Sequence, residues 1–149
     1  MQSNAMMFMS LSKMLKVMDQ RCYEVVKEDH LTKNEMIILM FLSNNKNYDT
    51  ASDIIKVRGL SKAHVAQSID SLCKKGYLIT CVDYKDRRIL HLSIDSSADE
   101  IVQKINKQRQ YCLKMIFEGF SAQQKKDFMQ MVKQVVKNTE KLKEEKNGR

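Results

Sequence analysis

Between Leu60 and Ile94 the hydrophobic period of this chain changes, and that change restricts the folds open to it. Val65, Ile69 and Leu72 recur at steps of four and three residues, which places them on one face of a helix. Gly76 follows, suited to the left-handed residue that ends such a helix. Leu90, Leu92 and Ile94 then alternate, the two-residue period of a strand with one face covered. Strands are expected at about Tyr77 to Val82 and Arg88 to Ile94, around a tip that carries Asp83, Lys85, Asp86, Arg87 and Arg88. A polar-faced helix running into a basic two-stranded ribbon is a layout that fits duplex DNA.

The rest of the chain reads as helix. It has no proline and four glycines in 149 residues, so breakers are few. Met7, Leu11, Met14, Met18, Cys22 and Val25 form a stripe that predicts a helix from Met6 to about Glu28. Thr32 with Glu35 and Thr50 with Asp53 are capping-box pairs; they start helices to Leu42 and to about Val57, with a polar loop at Asn44 to Asn47 between them. Arg58-Gly59-Leu60 is the next turn, and Ser61 caps the fourth helix. Ser97 and Glu100 are expected to begin a fifth helix carrying Ile101, Ile105, Cys112 and Ile116. Gly119 marks a break, and Ser121 with Gln124 caps a sixth helix striped by Phe128, Val132, Val135 and Leu142.

The fold class expected is mainly α with a small β-wing, a winged helix-turn-helix with N- and C-terminal dimerisation helices. Residues 1–5 read as an expression-tag remnant, 6–30 as the N-terminal dimerisation helix and 31–95 as the winged helix-turn-helix lobe. Residues 96–143 follow as C-terminal dimerisation helices, and 144–149 as a fraying tail.

Charge narrows the partners. The net charge is +8, which favours a polyanion; Leu60 to Ile94 alone holds six cations against three acids. No apolar run approaches the ~20 residues of a membrane span, and no secretory signal is visible, so a cytoplasmic location is expected and no membrane partner. Cys22, Cys73, Cys81 and Cys112 lack the spacing of a zinc site and read as reduced small hydrophobes. No metal or cofactor is expected. No Gly-rich phosphate loop, paired carboxylate site or Ser/His/Asp arrangement is apparent, and an enzyme is not expected.

Within the fourth helix, Ser61, Lys62, Ala63, His64, Gln67 and Ser68 are assigned to the outer, N-terminal face. Recognition helices read bases from their N-terminal residues. Gln67 suits adenine, Lys62 suits guanine or backbone, and His64 suits a base or a phosphate, while Ala63 suits a thymine methyl. In the wing, Lys85, Arg87 and Arg88 are the candidate contacts, with arginine suited to the narrow minor groove. Asp86 or Asp83 is expected to brace one of the two arginines and leave the other to insert.

The run from Leu72 through Leu92, with Leu-x-x-Lys-Gly-Tyr-Leu and then Asp86-Arg87-Arg88, resembles the MarR family of multiple-antibiotic-resistance-type transcriptional regulators. The Leu31-Thr32 helix start and the break at Phe117-Glu118-Gly119-Phe120-Ser121 agree, so the likeness spans nearly the whole chain. It implies a homodimer with interlocked terminal helices and assigns the minor-groove arginine to Arg88. Two positions depart from the family pattern. Thr80 stands where an arginine is frequent, and Leu92-Ser93-Ile94-Asp95-Ser96 lacks the usual glycine.

Met7, Leu11, Met14, Phe128, Val132 and Val135 would form an exposed apolar patch on a monomer and are the expected dimer interface. A two-fold dimer implies a palindromic duplex operator, and repression by blocking polymerase. The resemblance further implies release by a small amphipathic or anionic effector. Two other readings stand beside this one: a redox-sensing regulator using a cysteine, and a winged-helix protein-interaction module that binds no DNA.

Overall fold

The computed structural model describes residues 4–146. Met1, Gln2 and Ser3, from the stretch read as a tag remnant, and Asn147, Gly148 and Arg149 of the tail lie outside the described residues. The elements run α1 (Asn4–Glu24), α2 (Lys33–Asn44), α3 (Ala51–Arg58), α4 (Lys62–Lys74), β1 (Leu78–Val82), β2 (Leu90–Ile94), α5 (Asp99–Ile116) and α6 (Ala122–Lys146). They fall into two compact units, Met1–Cys112 and Leu113–Arg149.

The first unit is organised around α2. Every residue from Glu35 to Leu42 is buried, because a helix apolar on all sides is stable only when surrounded. It packs against α1, α4 and β2, while α3 and β1 pack on α4. Ile54, Val65, Leu72, Leu78, Leu92, Ile101 and Ile105 complete the core. Thr32 and Thr50 each accept a hydrogen bond from the backbone three residues on, and each N3 carboxylate answers the cap's own N–H. Two capping boxes therefore start α2 and α3, as the spacing predicts.

At its far end α4 closes in a Schellman turn. The Tyr77 N–H reaches the Leu72 carbonyl at 2.9 Å and the Gly76 N–H reaches that of Cys73 at 3.0 Å, with Gly76 at φ +77°. β1 and β2 pair antiparallel, Leu78 opposite Ile94 and Val82 opposite Leu90. Leu90, Leu92 and Ile94 share a face as expected, but only Leu92 is buried, because the hairpin projects beyond the helices towards its tip.

Two helix boundaries differ from the expectation. α1 stops at Glu24, and a 3-10 turn at Lys27–Asp29 follows. That turn buries Val26 and Leu31 and leaves Val25 exposed, so Val25 is not part of the core stripe. At the other end of the unit, Asp95 rather than Ser97 is the cap. Its side chain accepts from the Ser97 N–H of a 3-10 turn, Ser96–Ala98, that leads into α5. The Ser97 hydroxyl instead donates to the Gly76 carbonyl at 2.8 Å.

In the second unit the Phe117 ring meets Phe120 and Phe128 edge-on, with centroids 5.8 and 5.6 Å away. Gly119 takes φ +83°, and Ser121 and Gln124 cap α6 reciprocally. Beyond Phe128, the described side chains of α6 are exposed.

Two buried carboxylates tie the first unit together. Arg58 Nη2 donates to Asp19 Oδ2 at 2.6 Å, with both side chains largely buried, joining α3 to α1. Asp19 Oδ1 and Arg58 Nε are buried without a partner among the described residues. Such a pair is held together by mutual need, since either charge alone would be stranded out of water. Arg58→Met is expected to cost ~3–5 kcal/mol, and the pair Asp19→Leu with Arg58→Met to restore most of that loss. Urea denaturation at fixed protein concentration measures both, and an Arg58→Met loss below ~1 kcal/mol would refute the coupling.

Glu35 is the second charge, with its side chain 1% exposed. Its carboxylate accepts from Lys75 Nζ at 2.8 and 2.9 Å and from the Thr32 N–H at 2.6 Å. Burial pushes its pKa up, but hydrogen bonds from Lys75, Ser71 and Thr32 outweigh that and hold it below the ordinary 4.5. A depressed carboxylate contributes stability that is present above its ordinary value and is lost as pH falls through the lowered one. The melting-temperature gap between wild type and Glu35→Gln should therefore be full at neutral pH and narrow below pH 4.5. A gap that does not change on acidification would contradict this.

Candidate nucleic-acid interface

The N-terminal face of α4 is built for exposure. Ser61 caps it, accepting from the His64 N–H at 3.2 Å. Ser61, Lys62, Ala63, His64 and Gln67 are all exposed. Ser68 is not: it is 7% exposed, and its expected place on the outer face is corrected. The reason is periodic. Ser68 lies three residues after Val65 and four before Leu72, so it shares their inward stripe. A groove of about 180 Å³ separates this helix from the start of α2, lined in part by Asn34, His64, Gln67 and Ser71.

The wing tip is held by carboxylates. Asp83 Oδ1 accepts from the N–H groups of Lys85 and Asp86, each at 2.7 Å. Asp86 Oδ1 accepts from the backbone N–H and Nε of Arg88, and its Oδ2 from Arg88 Nη2, all at 3.0 Å. Arg88 is thus gripped at two points of its guanidinium while remaining 91% exposed. The pairing lowers the Asp86 pKa and raises that of Arg88. Arg87 is exposed, and its side chain has no hydrogen-bond or ion-pair partner among the described residues. Asp86 braces Arg88, the arginine that the resemblance assigns to the minor groove, and leaves Arg87 free, so bracing does not mark out the other arginine as the inserting one.

The structure also shows how the local charge is distributed. Lys74 pairs with Asp70 at 2.7 Å and Lys75 turns inward to Glu35. The cations left unpaired along this surface, among the described residues, are Lys62, Lys85 and Arg87. They sit on α4's first turn and at the hairpin tip, so both ends of the surface carry positive charge.

Three features of the surface escape sequence reasoning. Tyr84 stands 92% exposed at the wing tip; an aromatic inside a turn of charged residues was its only signal. Asp49 and Thr50, from the loop before α3, lie against β2. Thr50 forms an isolated bridge with His91, and the Leu92 N–H donates to the Asp49 carbonyl at 2.7 Å. His91 is placed between Asp49 and Asp83, 2.9 Å from each carboxylate. Asp83 is held down to about 2, by the hydrogen bond from His91 first and then by the two backbone N–H groups. His91 is raised above its ordinary 6.5 by the hydrogen bonds to Asp83 and Asp49.

The remaining candidates are distributed as follows. Met7, Leu11 and Met14 of α1 and Val132 and Val135 of α6 are exposed, and Phe128 is half-buried. Cys22 is fully buried, and burial, with Cys112 and Asp19 nearby, pushes its thiol up to about 11. A thiol so raised holds almost no thiolate near neutral pH, which runs against a reactive cysteine. Among the described residues, no group of three or more His, Cys, Asp or Glu is placed to hold a metal ion. No described helix is long and apolar enough to cross a membrane.

Residues 31–89, from the start of α2 to the wing tip, match the MarR family. Comparison with curated protein sequences gives no match. Among solved structures, the chain is similar to a Listeria monocytogenes protein assigned to the MarR family and complexed with 26mer DNA. The TM-score is 0.77 at 16% identity, over 93% of this chain and 89% of that one. A MarR protein from Peptoclostridium difficile superposes with a TM-score of 0.73 at 19% identity, over 95% and 90% of the two chains. An S. aureus MepR mutant bound to an oligodeoxyribonucleotide gives 0.55 at 15%, over 93% and 99%. These likenesses establish the winged-helix fold along nearly the whole length. Over its helix-turn-helix and wing, residues 31–89, the chain is thus similar to the MarR family of transcriptional regulators.

Proposed function

We propose that this protein is a homodimeric transcriptional regulator that binds a palindromic duplex operator and acts as a repressor. The observation that carries this reading is the capped, exposed first turn of α4 standing on the same unit as an arginine-tipped hairpin. In this reading Lys62, Ala63, His64 and Gln67 face the major groove, with the Ser61 cap at the helix N-terminus suited to phosphate. Ser68 is left out of the contact set because it is buried. Arg88, shaped by Asp86, enters the minor groove, while Arg87 and Lys85 take the flanking phosphates. The neighbours solved with 26mer DNA and with an oligodeoxyribonucleotide support DNA as the partner.

The exposed apolar residues Met7, Leu11 and Met14 of α1 and Val132 and Val135 of α6 supply the proposed dimer contact. Two copies about one helical turn apart, roughly 34 Å, read two half-sites. A small amphipathic or anionic effector releases the operator by altering that separation, and the protein works in the cytoplasm. The redox reading is weakened by the raised Cys22 thiol.

Binding to duplex DNA separates this reading from that of a protein-interaction module. The affinity should fall steeply with salt, because phosphate contacts release counterions. Removing the guanidinium in Arg88→Ala should weaken operator binding about tenfold and leave the dimer intact. Arg87→Ala should weaken all sequences alike and reduce the salt slope by about one. Gln67→Ala should relax base preference at one position of each half-site. Genomic footprinting supplies the operator, mobility-shift titrations across salt supply the slopes, and a salt-independent affinity would overturn the DNA-binding reading.

A further inference from the structure

His91 occupies a position that only one protonation state satisfies. Its Nδ1 lies 2.9 Å from Asp49 Oδ1 and its Nε2 lies 2.9 Å from Asp83 Oδ2. A neutral imidazole has one N–H and one lone pair. Set between two carboxylates, it would turn its lone pair on an acceptor oxygen. Only the imidazolium donates to both.

The two carboxylates come from different parts of the fold. Asp49 belongs to the loop between α2 and α3, the loop whose Asp49 carbonyl also takes the Leu92 N–H. Asp83 follows β1 and uses its other oxygen to fold the tip, accepting from Lys85 and Asp86. Asp86 then grips Arg88. A continuous run of hydrogen bonds thus leads from the helical body, through His91, to the wing arginine.

The surroundings of the ring are charged on several sides. Cys81 is its direct partner across the hairpin. Asp53 and Lys56 of α3 and Arg88 of the tip line the same cavity of about 660 Å³. Asp53 is occupied by its own cap, accepting from the Thr50 N–H and hydroxyl, and Arg88 by Asp86. Lys56 opposes an imidazolium, whereas Asp49 and Asp83 touch the ring and favour it.

We propose that His91 is a positioning residue for the wing, a proton-held bridge that fixes the arginine tip against the α2–α3 loop and makes operator binding weaken as pH rises. The inference rests on the DNA-binding reading above. Its sign follows from linkage. A histidine raised by its partners contributes in full below its ordinary 6.5 and loses that contribution as pH rises through the raised value. The bridge is closed in mild acid and opens on the alkaline side.

The experiment has two arms, both on the full chain. His30, His64 and His91 are the three histidines, and imidazole NMR without DNA resolves their titrations. His91 should titrate above 6.5 with both ring nitrogens protonated below that point, and Asp49→Asn should lower its titration. In the second arm, operator affinity of the wild-type chain and of His91→Gln is measured from about pH 6 to about pH 9. Wild-type affinity should fall about fivefold across that range, and His91→Gln should remove most of the fall. A His91 ring that titrates at its ordinary value, or a pH profile unchanged by His91→Gln, overturns the proposal. Should no duplex DNA bind at any pH, the DNA-binding reading fails, while the NMR arm still decides whether the bridge exists.

Discussion

The placement of both reading elements depends on the buried carboxylate of Glu35. At the third position of α2 it answers the Thr32 cap, and from α4 it takes the Lys75 ammonium. A carboxylate this deep is tolerated only with such partners. Meeting its needs fastens the last turn of α4 to the first turn of the central helix. The opposite end of α4 is thereby left to project, with Ser61 to His64 and Gln67 exposed while Val65 packs into the core. Just beyond Lys75 the Schellman turn hands the chain to β1, so the anchor that aims the helix also sets where the hairpin departs.

The wing is organised by acceptors rather than by apolar packing. Outside Leu78 and Leu92 its described strand residues are half-buried or exposed, and a two-stranded ribbon alone is marginal in water. Asp83 and Asp86 compensate locally by gathering backbone donors at the tip. Asp86 also fixes the fork of Arg88 before any ligand arrives, which lowers the ordering cost of a contact made by that side chain. An ion pair this exposed is weak and screened by salt, so a phosphate-lined groove competes with it easily. The grip sets direction without withholding the charge.

Most of this was legible in the chain because it is local. Thr32 with Glu35, Thr50 with Asp53 and Ser121 with Gln124 are caps whose geometry is fixed by three-residue spacing. Gly76 ends α4 where expected, and the parity of Leu90, Leu92 and Ile94 gave the strand face. The exceptions have separate causes. A hydroxyl reads as polar and points Ser68 outward, although its spacing from Val65 and Leu72 turns it inward. Val25 continued a stripe that the chain abandons one residue earlier. What the sequence could not carry is contact between distant segments: Asp19 with Arg58, Glu35 with Lys75, and Asp49 with His91 are separated by 39, 40 and 42 residues. Nothing in a short window ranks one lysine or histidine above another as the partner.

The terminal helices show why assembly and DNA reading belong to one problem. α6 runs for 25 residues, yet Phe128 is its only described side chain that is not exposed. Val132, Val135 and Val136 stand in water on a helix otherwise rich in lysine and glutamine. Helices gain most of their stability from packing an apolar face, and an uncovered one loses it. The first part of α1 also exposes apolar side chains, among them Met7, Leu11 and Met14. These surfaces need an occupant for the helices to hold, and in the proposed homodimer a second copy covers them. The separation of two reading heads is then set by the same contacts that keep α1 and α6 folded. In the proposed homodimer, repacking those helices would change operator fit without touching α4 or the wing.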